Sequence, residues 1–289
     1  MKLGILANTT KNNTADFARL LIHDLKKRGH TCIIGDELAA SMHEDAGVLP
    51  CQVCKQADLI LALGGDGTVL RAVSAAAHQE KPVLGINMGR VGFLSEALPG
   101  EISEVLDAID AGALVLDYRT MVQAAIAHKD SREPQFIYSS FNDVSITRHK
   151  YTGIVRLDVY IQDEFAGTVT GDGVLVSTPT GSSAYALSCG GPLVHPSLDV
   201  LVIAPISGHV RSMRPMVVPG DSIIRIRPHG GHRELDFSVD GKFGACLSDF
   251  DEAVIRRAPY QAVLAHIKPY HFYEIVRSKI YGEDISPNG

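Results

Sequence analysis

The sequence has no surplus of basic residues and no long apolar run, and each absence excludes a class of protein. Its 289 residues carry 27 Lys and Arg against 33 Asp and Glu, a net charge of −6. Proteins that bind nucleic acid non-specifically need a basic surface, so we expect no nucleic-acid partner. No apolar stretch is long enough to span a bilayer, so we expect no membrane partner.

The amino-terminal residues MKLGILANTT lack the apolar core and the small-residue cleavage site of a signal peptide. Their pattern is that of a first β-strand. We therefore expect a protein that stays in the cytoplasm.

Cysteine is scarce and scattered, five residues in all. An odd number without an export signal argues against a disulfide framework. Cys51 and Cys54 have CxxC spacing, but a structural zinc site needs four ligands and no second pair accompanies them. The alternative is two small residues one turn apart on a helix, and we predict no metal site made of protein ligands.

Two common phosphate-binding motifs are also missing. The sequence contains neither GxxxxGK[ST] nor GxGxxG directly after the first strand. Residues 59–70 instead read LILALGGDGTVL, in which three glycines follow a run of aliphatic residues. Glycines let phosphate approach the backbone, but Asp66 in their midst should repel it. An acid at this position needs a chemical reason.

Strands and helices alternate up to about residue 115. Strand patterns cover residues 2–8, 31–35, 59–63 and 82–87, and helical patterns cover 14–28, 68–78 and 101–111. Strand, helix, strand in this order implies right-handed crossovers and a parallel sheet. We predict an α/β amino-terminal domain with a Rossmann-like parallel sheet. It comprises residues 1–117 and 263–289, the latter with a helix at 270–280.

From about residue 118 the apolar residues alternate with a period of two. Gly, Asp and Pro turns separate strand patterns at 155–162, 173–178, 222–228, 235–241 and 253–258. This spacing is typical of an antiparallel sandwich. We predict an all-β, sandwich-like carboxy-terminal domain over residues 118–262.

The glycine loop follows a parallel strand and precedes a helix, which places it at the sheet edge where ligands and anions bind. The alternative is a tight turn, since Gly-Asp-Gly supplies left-handed conformations. A carboxylate beside phosphate is costly unless it handles a proton or a cation, and phosphoryl transfer needs both services. We therefore expect Asp66 to recruit an alcohol while Gly64, Gly65, Gly67 and Thr68 hold phosphate.

A second dense stretch, GDGVLVSTPTGSSAYALSCGGPLVHP, covers residues 171–196. It carries Asp172, several hydroxyls and, at 180–185, a polar loop with one aromatic residue, Tyr185. Hydroxyls and N–H groups suit ribose and phosphate oxygens, and Tyr185 can pack on a base. The alternative is a Ser/Thr-rich turn between strands. Asn142 and Asp143 add an amide and a carboxylate at the start of a strand.

Five segments, taken in order, resemble the NAD kinase family over almost the whole chain. They are GGDGT (64–68), INMGRVGFLSE (86–96), ND (142–143), DGVLVSTPTGSSAYALSCGGPLVHP (172–196) and RPMVVP (214–219). GGDGT is shared with diacylglycerol-kinase-like and phosphofructokinase-like enzymes, whereas TPTGSxAYxLSxGGP is more specific. The resemblance implies phosphorylation of NAD to NADP by ATP with a divalent metal, expected to be Mg²⁺ bound with ATP. It also implies a homodimer or homotetramer.

By this resemblance Asp66 is the general base for the 2′-hydroxyl of the adenosine ribose, with Gly67 in the same loop. Asn142 and Asp143 match a dinucleotide-binding pair that is more often Asn-Glu, and Ser183 stands where Thr is usual. The other positions matched to the NAD site are Phe93, Asp172, Thr180, Ala184, Tyr185, Ala186, Leu187 and Ser188, with Asp240 and Lys242 on a looser match.

Two other functions stay open at this point. A kinase of another hydroxyl substrate could use the same glycine loop, although the segment at 180–188 weighs against it. A non-catalytic dinucleotide-binding regulator would gain nothing from an acid that repels phosphate. Lys150 either contacts the phosphates of the dinucleotide or keeps a hairpin soluble. Arg211 and Arg214 either contact phosphate or are surface arginines near a turn.

Overall fold

The computed structural model describes residues 1–11, 13–44, 46–89, 92–127, 136–149, 153–209, 213–229, 234–248 and 251–282. Its helices are α1 (Thr14–Lys27), α2 (Asp36–Ser41), α3 (Pro50–Gln56), α4 (Asp66–Ala76), α5 (Ile102–Asp110), α6 (Tyr185–Ser188) and α7 (Phe272–Lys279). Short 3₁₀ turns lie at Ala77–Gln79, Pro99–Glu101 and Thr180–Ser183.

The strands of the first half are β1 (Lys2–Ala7), β2 (Thr31–Ile34), β3 (Leu59–Gly64), β4 (Pro82–Asn87) and β5 (Val115–Ala127). Those that follow are β6 (Tyr138–Ser140), β7 (Asp143–Arg148), β8 (Val155–Ile161), β9 (Glu164–Gly171), β10 (Gly173–Ser177), β11 (Val200–Ile206), β12 (Met216–Pro219), β13 (Ile224–Pro228), β14 (Leu235–Val239), β15 (Lys242–Leu247) and β16 (Glu252–His266).

One unit comprises Met1–Tyr118 and the chain from Ala262 onward. Its sheet has the order β2-β1-β3-β4 with parallel neighbours, and Val263 and Leu264 at the end of β16 pair with β4, also in parallel. β3 is buried along its whole length, as a strand covered on both faces should be. The predicted α/β domain with a parallel sheet is confirmed.

The helix after the glycine loop begins earlier than the sequence pattern indicates. It starts at Asp66 rather than near Thr68, because Gly65 is extended and accepts the first helical hydrogen bond, from the Thr68 N–H at 2.8 Å. Asp66 is therefore the first helical residue. Its carboxylate and the unpaired N–H groups of the first turn share one end of α4.

The other unit, Arg119–Gln261, is built of antiparallel strands. One sheet has the order β12-β11-β10-β7-β14-β15, and β8 pairs with β9 and β13 in a second. Alternate residues of both sheets, such as Val144, Val176, Leu157 and Ile226, share one apolar core. The predicted sandwich-like all-β domain is confirmed.

Six strands of this unit were not predicted from the pattern, β5, β6, β9, β11, β12 and β15, and one was predicted too short. In β5 the residues from Arg119 to Ala125 are all buried, and β11 is buried from Leu201 to Ile206. Strands covered on both faces show no alternation, so periodicity does not reveal them. β16 continues past Pro259 to His266, whereas a proline, which lacks an N–H donor, was taken as a strand end.

Within the described residues, no helix combines the length and the apolarity needed to cross a membrane.

Candidate functional site

The carboxylate of Asp66 is held by hydrogen bonds from the loop that follows β4. One carboxylate oxygen accepts the Phe93 N–H at 2.8 Å, and the other accepts the Leu94 N–H at 3.2 Å and the Ser95 hydroxyl at 3.3 Å. A carboxylate has about four lone-pair sites, so one remains for another donor. The side chain is thus fixed in orientation and still able to accept a hydrogen bond.

The other hydrogen bonds of the Ser95 hydroxyl leave only one direction in which its proton can point. It accepts hydrogen bonds from the amide of Asn87 at 2.9 Å and from the Gly92 N–H at 3.1 Å. With both acceptor positions used, its proton points to Asp66. Asn87 is the last residue of β4 and is 2% exposed, so neighbouring strand ends, of β3 and β4, together orient the acid.

Glycine is required at two positions around this acid. A β-carbon on Gly92 would collide with the carboxylate of Asp66, and one on Gly64 would collide with the side chain of Thr68. The backbone N–H groups of residues 93 and 94 reach Asp66 only because position 92 has no side chain. Of the predicted phosphate-loop residues, Thr68 is buried and Gly67 is exposed.

A lysine that the sequence analysis passed over lies beside the same loop. The ammonium nitrogen of Lys11 would be 3.2 Å from a β-carbon built on Gly65 and 3.7 Å from one built on Gly89. Both positions are glycines, which leaves room for the ammonium group. Lys11 thus places a positive charge next to the amino-terminal end of α4.

In the antiparallel unit, Asp240 holds the segment that carries Asn142 and Asp143. Its carboxylate accepts hydrogen bonds from the Ser140 hydroxyl at 2.5 Å and from the N–H groups of Phe141, Asn142 and Asp143 at 3.1, 2.8 and 3.3 Å. Asp240 has φ +48° and Gly241 φ +69°, between the paired residues 239 and 242. Such a two-residue hairpin turn suits Asp-Gly.

The Asn142 side chain is left available by this arrangement. Its backbone N–H donates to Asp240, and its carbonyl accepts the Thr178 N–H at 2.9 Å and the Ser177 hydroxyl at 3.1 Å. Its side-chain amide, however, has no hydrogen-bond partner in the part of the chain that the structure describes. An amide held by its backbone and free at its tip can contact a ligand.

Asp143 follows Asn142 in the chain and is only 5% exposed. Burial, and then the nearby charge of Asp240, raises the pKa of Asp143 to about 7. Tyr185 is half exposed, and its pKa is raised by burial and then by the charges of Cys189, Asp143 and Asp172. Tyr185 therefore lies near both Asp143 and Asp172, which the sequence analysis assigned to the same site.

Most hydroxyls of the second motif donate hydrogen bonds within the protein. The hydroxyls of Thr178, Ser182 and Ser183 donate to carbonyls of Phe141, Pro179 and Thr180 respectively. The expected polar loop at 180–185 is a 3₁₀ turn that leads into α6, with Thr180, Gly181 and Ser182 buried. Short hydroxyl side chains hydrogen-bond to nearby backbone, which stabilises such turns.

This turn packs directly on the segment that carries Asn142. A β-carbon on Gly181 would collide with the Asn142 carbonyl. The hydroxyl of Thr180 accepts a hydrogen bond from the buried guanidinium of Arg119 at 3.3 Å. The two motifs are thus one packed assembly within the antiparallel unit.

The remaining predicted residues differ in exposure. Phe93, Asp172, Ser183, Ala184 and Leu187 are half-buried, Ser188 and Lys242 are exposed, and Ala186 is buried in a small apolar cluster. Asp172 also forms an ion pair with Arg148 at 2.9 Å. Arg90, Val91, Lys150 and Arg211 lie outside the described residues.

The CxxC pair occupies α3, the helix considered as its alternative explanation. Cys51 is exposed and Cys54 is buried, and burial, followed by the proximity of Cys51, raises the pKa of the Cys54 thiol to about 11. A protonated, buried thiol is a poor metal ligand and a poor nucleophile.

Three residues that matter here were not singled out from the sequence: Lys11, Asn87 and Ser95. Asn87 and Ser95 lie in the INMGRVGFLSE segment, and Asn87 ends a strand next to the one that carries the glycine loop. Carboxyl ends of neighbouring parallel strands meet at one sheet edge, so that adjacency was the available signal. Lys11 follows β1 at the same edge.

Comparisons with known proteins agree with this geometry. Residues 3–114 match the ATP-NAD kinase N-terminal domain and residues 141–267 match the ATP-NAD kinase C-terminal domain. The chain is 37% identical over 280 residues to an NAD kinase of Moorella thermoacetica, covering 96% of this chain and 89% of that protein. It is 34% identical over 281 residues to an NAD kinase of Saccharophagus degradans, covering 96% and 95%.

Solved structures show the same fold. A yeast NADH kinase complexed with NADH superposes with a TM-score of 0.88 at 26% identity, covering 99% of this chain and 89% of that one. An Archaeoglobus fulgidus NAD kinase in complex with ATP has a TM-score of 0.75 at 21% identity, covering 98% and 100%. The extent of the sequence matches leads to one conclusion: the chain belongs to the ATP-NAD kinase family.

Proposed function

We propose that this protein transfers the γ-phosphoryl group of ATP to the 2′-hydroxyl of the adenosine ribose of NAD, producing NADP. Membership of the ATP-NAD kinase family supports the overall reaction. The observation that carries the mechanism is the placement of Asp66, an acid at the head of α4 whose carboxylate is oriented by three donors and keeps one acceptor site.

Asp66 acts as the general base. As the 2′-oxygen attacks the γ-phosphorus, its proton passes to the carboxylate of Asp66, an O–P bond forms, and ADP leaves with the electrons of the broken bond. Phosphoryl transfer proceeds through a loose transition state, so positioning and charge stabilisation supply most of the acceleration. The amides of residues 93 and 94 contribute positioning because they hold the base in one orientation.

The donor phosphates meet the glycine loop. The first N–H groups of α4 have no intrahelical acceptor and favour an anion. The ammonium of Lys11, beside Gly65 and Gly89, supplies a positive charge at the same place. In this arrangement Lys11 takes the part that a P-loop lysine has in other nucleotide-binding proteins.

NAD binds through the Asn142–Asp143 segment and the motif around Tyr185. The free amide of Asn142 suits an adenine edge, and the carboxylates of Asp143 and Asp172 suit ribose hydroxyls. Tyr185, half exposed, offers a face on which a base can pack. Asp240 accepts four hydrogen bonds from this segment and acts by holding it in place.

A divalent metal accompanies ATP, and Mg²⁺ is the ion that phosphates and oxygen ligands suit. Among the described residues, no group of three metal-ligating side chains includes Asp66, which fits an ion held chiefly by the nucleotide. The ion would neutralise charge on the transferring group.

The decisive experiment incubates the pure protein with NAD, ATP and Mg²⁺ and measures NADP. Formation of NADP is expected. Turnover of a sugar or lipid hydroxyl without NADP would establish a different kinase, and tight NAD binding without ATP hydrolysis or NADP would establish a regulator. Parallel assays with NADH and with polyphosphate define the acceptor and the donor. Light scattering distinguishes the proposed homodimer from the homotetramer.

A further inference from the structure

A second cluster of reactive side chains lies in the antiparallel unit, on residues that the kinase reaction does not use. It consists of His149, Asp236 and Cys246, here called the His-Asp-Cys cluster. One ligand atom from each side chain lies within 4.8 Å of the other two. The Nδ1 atom of His149 is 2.7 Å from a carboxylate oxygen of Asp236.

The strand register explains why these side chains meet. Asp236 on β14 pairs with Thr147 on β7 on one side and with Cys246 on β15 on the other. His149 is two residues beyond Thr147 and so continues the same face of the sheet. The neighbours of Asp236, Leu235 and Phe237, point into the apolar core. The cluster therefore lies on the opposite face, where the His and Asp are half-buried and the Cys is exposed.

We propose that the His-Asp-Cys cluster binds one divalent transition-metal ion of the Zn²⁺ type. The argument rests on the mixture of donors, since imidazole nitrogen, carboxylate oxygen and thiolate sulfur are the three ligand types that zinc takes in proteins. A hard ion such as Mg²⁺ prefers oxygen alone and is disfavoured by the sulfur. The three side chains leave the fourth position of a tetrahedral ion to water. On binding, the Cys246 proton leaves to solvent and the ion replaces the hydrogen bond between His149 and Asp236.

Such an ion would connect three adjacent strands. The β14–β15 hairpin ends in the turn whose Asp240 holds Asn142 and Asp143. A bond between His149 and the two hairpin strands would resist separation of this hairpin from β7. We therefore expect the ion to stabilise the antiparallel unit, independently of the metal that accompanies ATP.

The test adds Zn²⁺ or Co²⁺ to the metal-free protein without nucleotide. We expect one ion per chain, a sulfur-to-Co²⁺ charge-transfer band in the near ultraviolet, and a rise in unfolding temperature of about 3 °C or more at saturating Zn²⁺. Cys246→Ser should abolish the band, and His149→Gln and Asp236→Asn should abolish the rise. Cys51→Ser is the matched control, because Cys51 is the other exposed cysteine, and it should retain both signals.

Absence of a charge-transfer band in the unaltered protein would overturn the proposal and leave a simple His–Asp hydrogen bond beside a surface thiol. The same holds if the band survives in the Cys246→Ser variant or disappears with Cys51→Ser. Circular dichroism of each variant establishes that it is folded. The unaltered protein's own titration decides the matter even if a variant does not fold.

Discussion

Asp66 and Asp240 are both carboxylates held by backbone N–H groups, but they differ in the number of donors. Asp66 accepts three hydrogen bonds and Asp240 accepts four. Three of the four donors to Asp240 bond to its Oδ1 and one to its Oδ2, whereas Asp66 accepts two on Oδ1 and one on Oδ2, so Oδ2 of each acid can accept a further donor. The two acids differ in what they hold: the donors to Asp66 lie in the loop after β4, and those to Asp240 all lie in residues 140–143, the segment that carries Asn142.

The backbone around the two acids also differs. Asp66 opens a helix, where unpaired N–H groups attract a phosphate, while Asp240 sits in a two-residue hairpin turn with positive φ. An acid placed among glycines is therefore not evidence of catalysis by itself, because Asp240-Gly241 is also an Asp-Gly pair. What distinguishes the proposed base from a structural clamp is its place at the amino-terminal end of α4, beside Lys11.

Replacing the proposed base should have the largest effect. In Asp66→Asn the side-chain oxygen still accepts a backbone N–H, so the loop should stay in place, but the proton acceptor is lost. We expect turnover to fall by a factor on the order of 100 or more, the usual scale for general-base catalysis, with little change in NAD affinity. Steady-state rates of NADP formation and direct NAD titration measure the two quantities.

Asp240→Asn serves as the comparison, because Asn is also accepted at positive φ and also loses the charge. It should weaken NAD binding more than it slows turnover at saturating NAD. An Asp66→Asn variant with full turnover, or an Asp240→Asn variant with the hundredfold loss instead, would reverse the roles assigned to the two acids.

Removing the carboxylate of Asp240 altogether should lower the free energy of unfolding. Asp240→Ala leaves the N–H groups of Phe141, Asn142 and Asp143 without their acceptor, and an unsatisfied buried group costs about 1–3 kcal/mol. Urea unfolding should show a loss on the order of 2 kcal/mol. The substitution also removes the charge repulsion between Asp240 and Asp143, which will offset part of this loss at high pH. An unchanged unfolding free energy would show that the segment does not depend on Asp240.

Much of the fold followed from the sequence because its two periodicities differ. Alternating strand and helix patterns predicted the parallel sheet, and period-two patterns predicted the antiparallel layers. Of the strands that were missed, β5 and β11 are buried on both faces and carry no alternation, and β6 and β12 have only three and four residues. The predicted loop at 180–185 is largely the 3₁₀ turn Thr180–Ser183, which is stabilised by hydroxyl hydrogen bonds rather than by helical propensity.

The candidate site was predictable in its motifs and less so in its contacts. Asp66 stood out because an acid among phosphate-binding glycines is unusual. The support given by Asn87 and Ser95 depends on the meeting of neighbouring strand ends, which sequence spacing does not measure. Nor does spacing reveal that Asp240 accepts four hydrogen bonds from residues 140–143, because that depends on how the β14–β15 turn meets this segment.

Replacing Lys11 should have a smaller effect, on the binding of ATP, the phosphoryl donor. Lys11→Met keeps most of the length of the side chain and removes its charge, and hydrogen bonds to charged groups contribute about 1.5–3 kcal/mol. We expect KM for ATP to rise roughly tenfold or more, with KM for NAD nearly unchanged. The same substitution at Lys27, exposed in the last turn of α1, is the control. Equal KM values in the two variants would remove Lys11 from the site.

The smallest effect concerns the pH dependence of stability at Asp143. Its pKa is raised from 3.8 in the unfolded chain to about 7 in the folded protein, by burial and then by Asp240. The folded state therefore holds this proton more tightly, and the associated stability, fully present below pH 3.8, is lost as pH rises to about 7. Asp143→Asn, which cannot ionise, should avoid this loss.

Urea unfolding of both proteins between pH 4 and 8 measures the difference. The variant's advantage should grow with pH, level off near pH 7, and reach the order of 1 kcal/mol or more. In a protein that keeps Asp143, Asp240→Asn should move this levelling point to lower pH. The substitution removes the charge of Asp240, one of the two causes of the raised pKa of Asp143, while burial, the other cause, remains. Parallel stability curves for the unaltered protein and Asp143→Asn would mean that the carboxyl is hydrated in the folded state. The contrast between an acid that stores a proton and Asp66, which must accept one from a substrate, would then lose its physical basis.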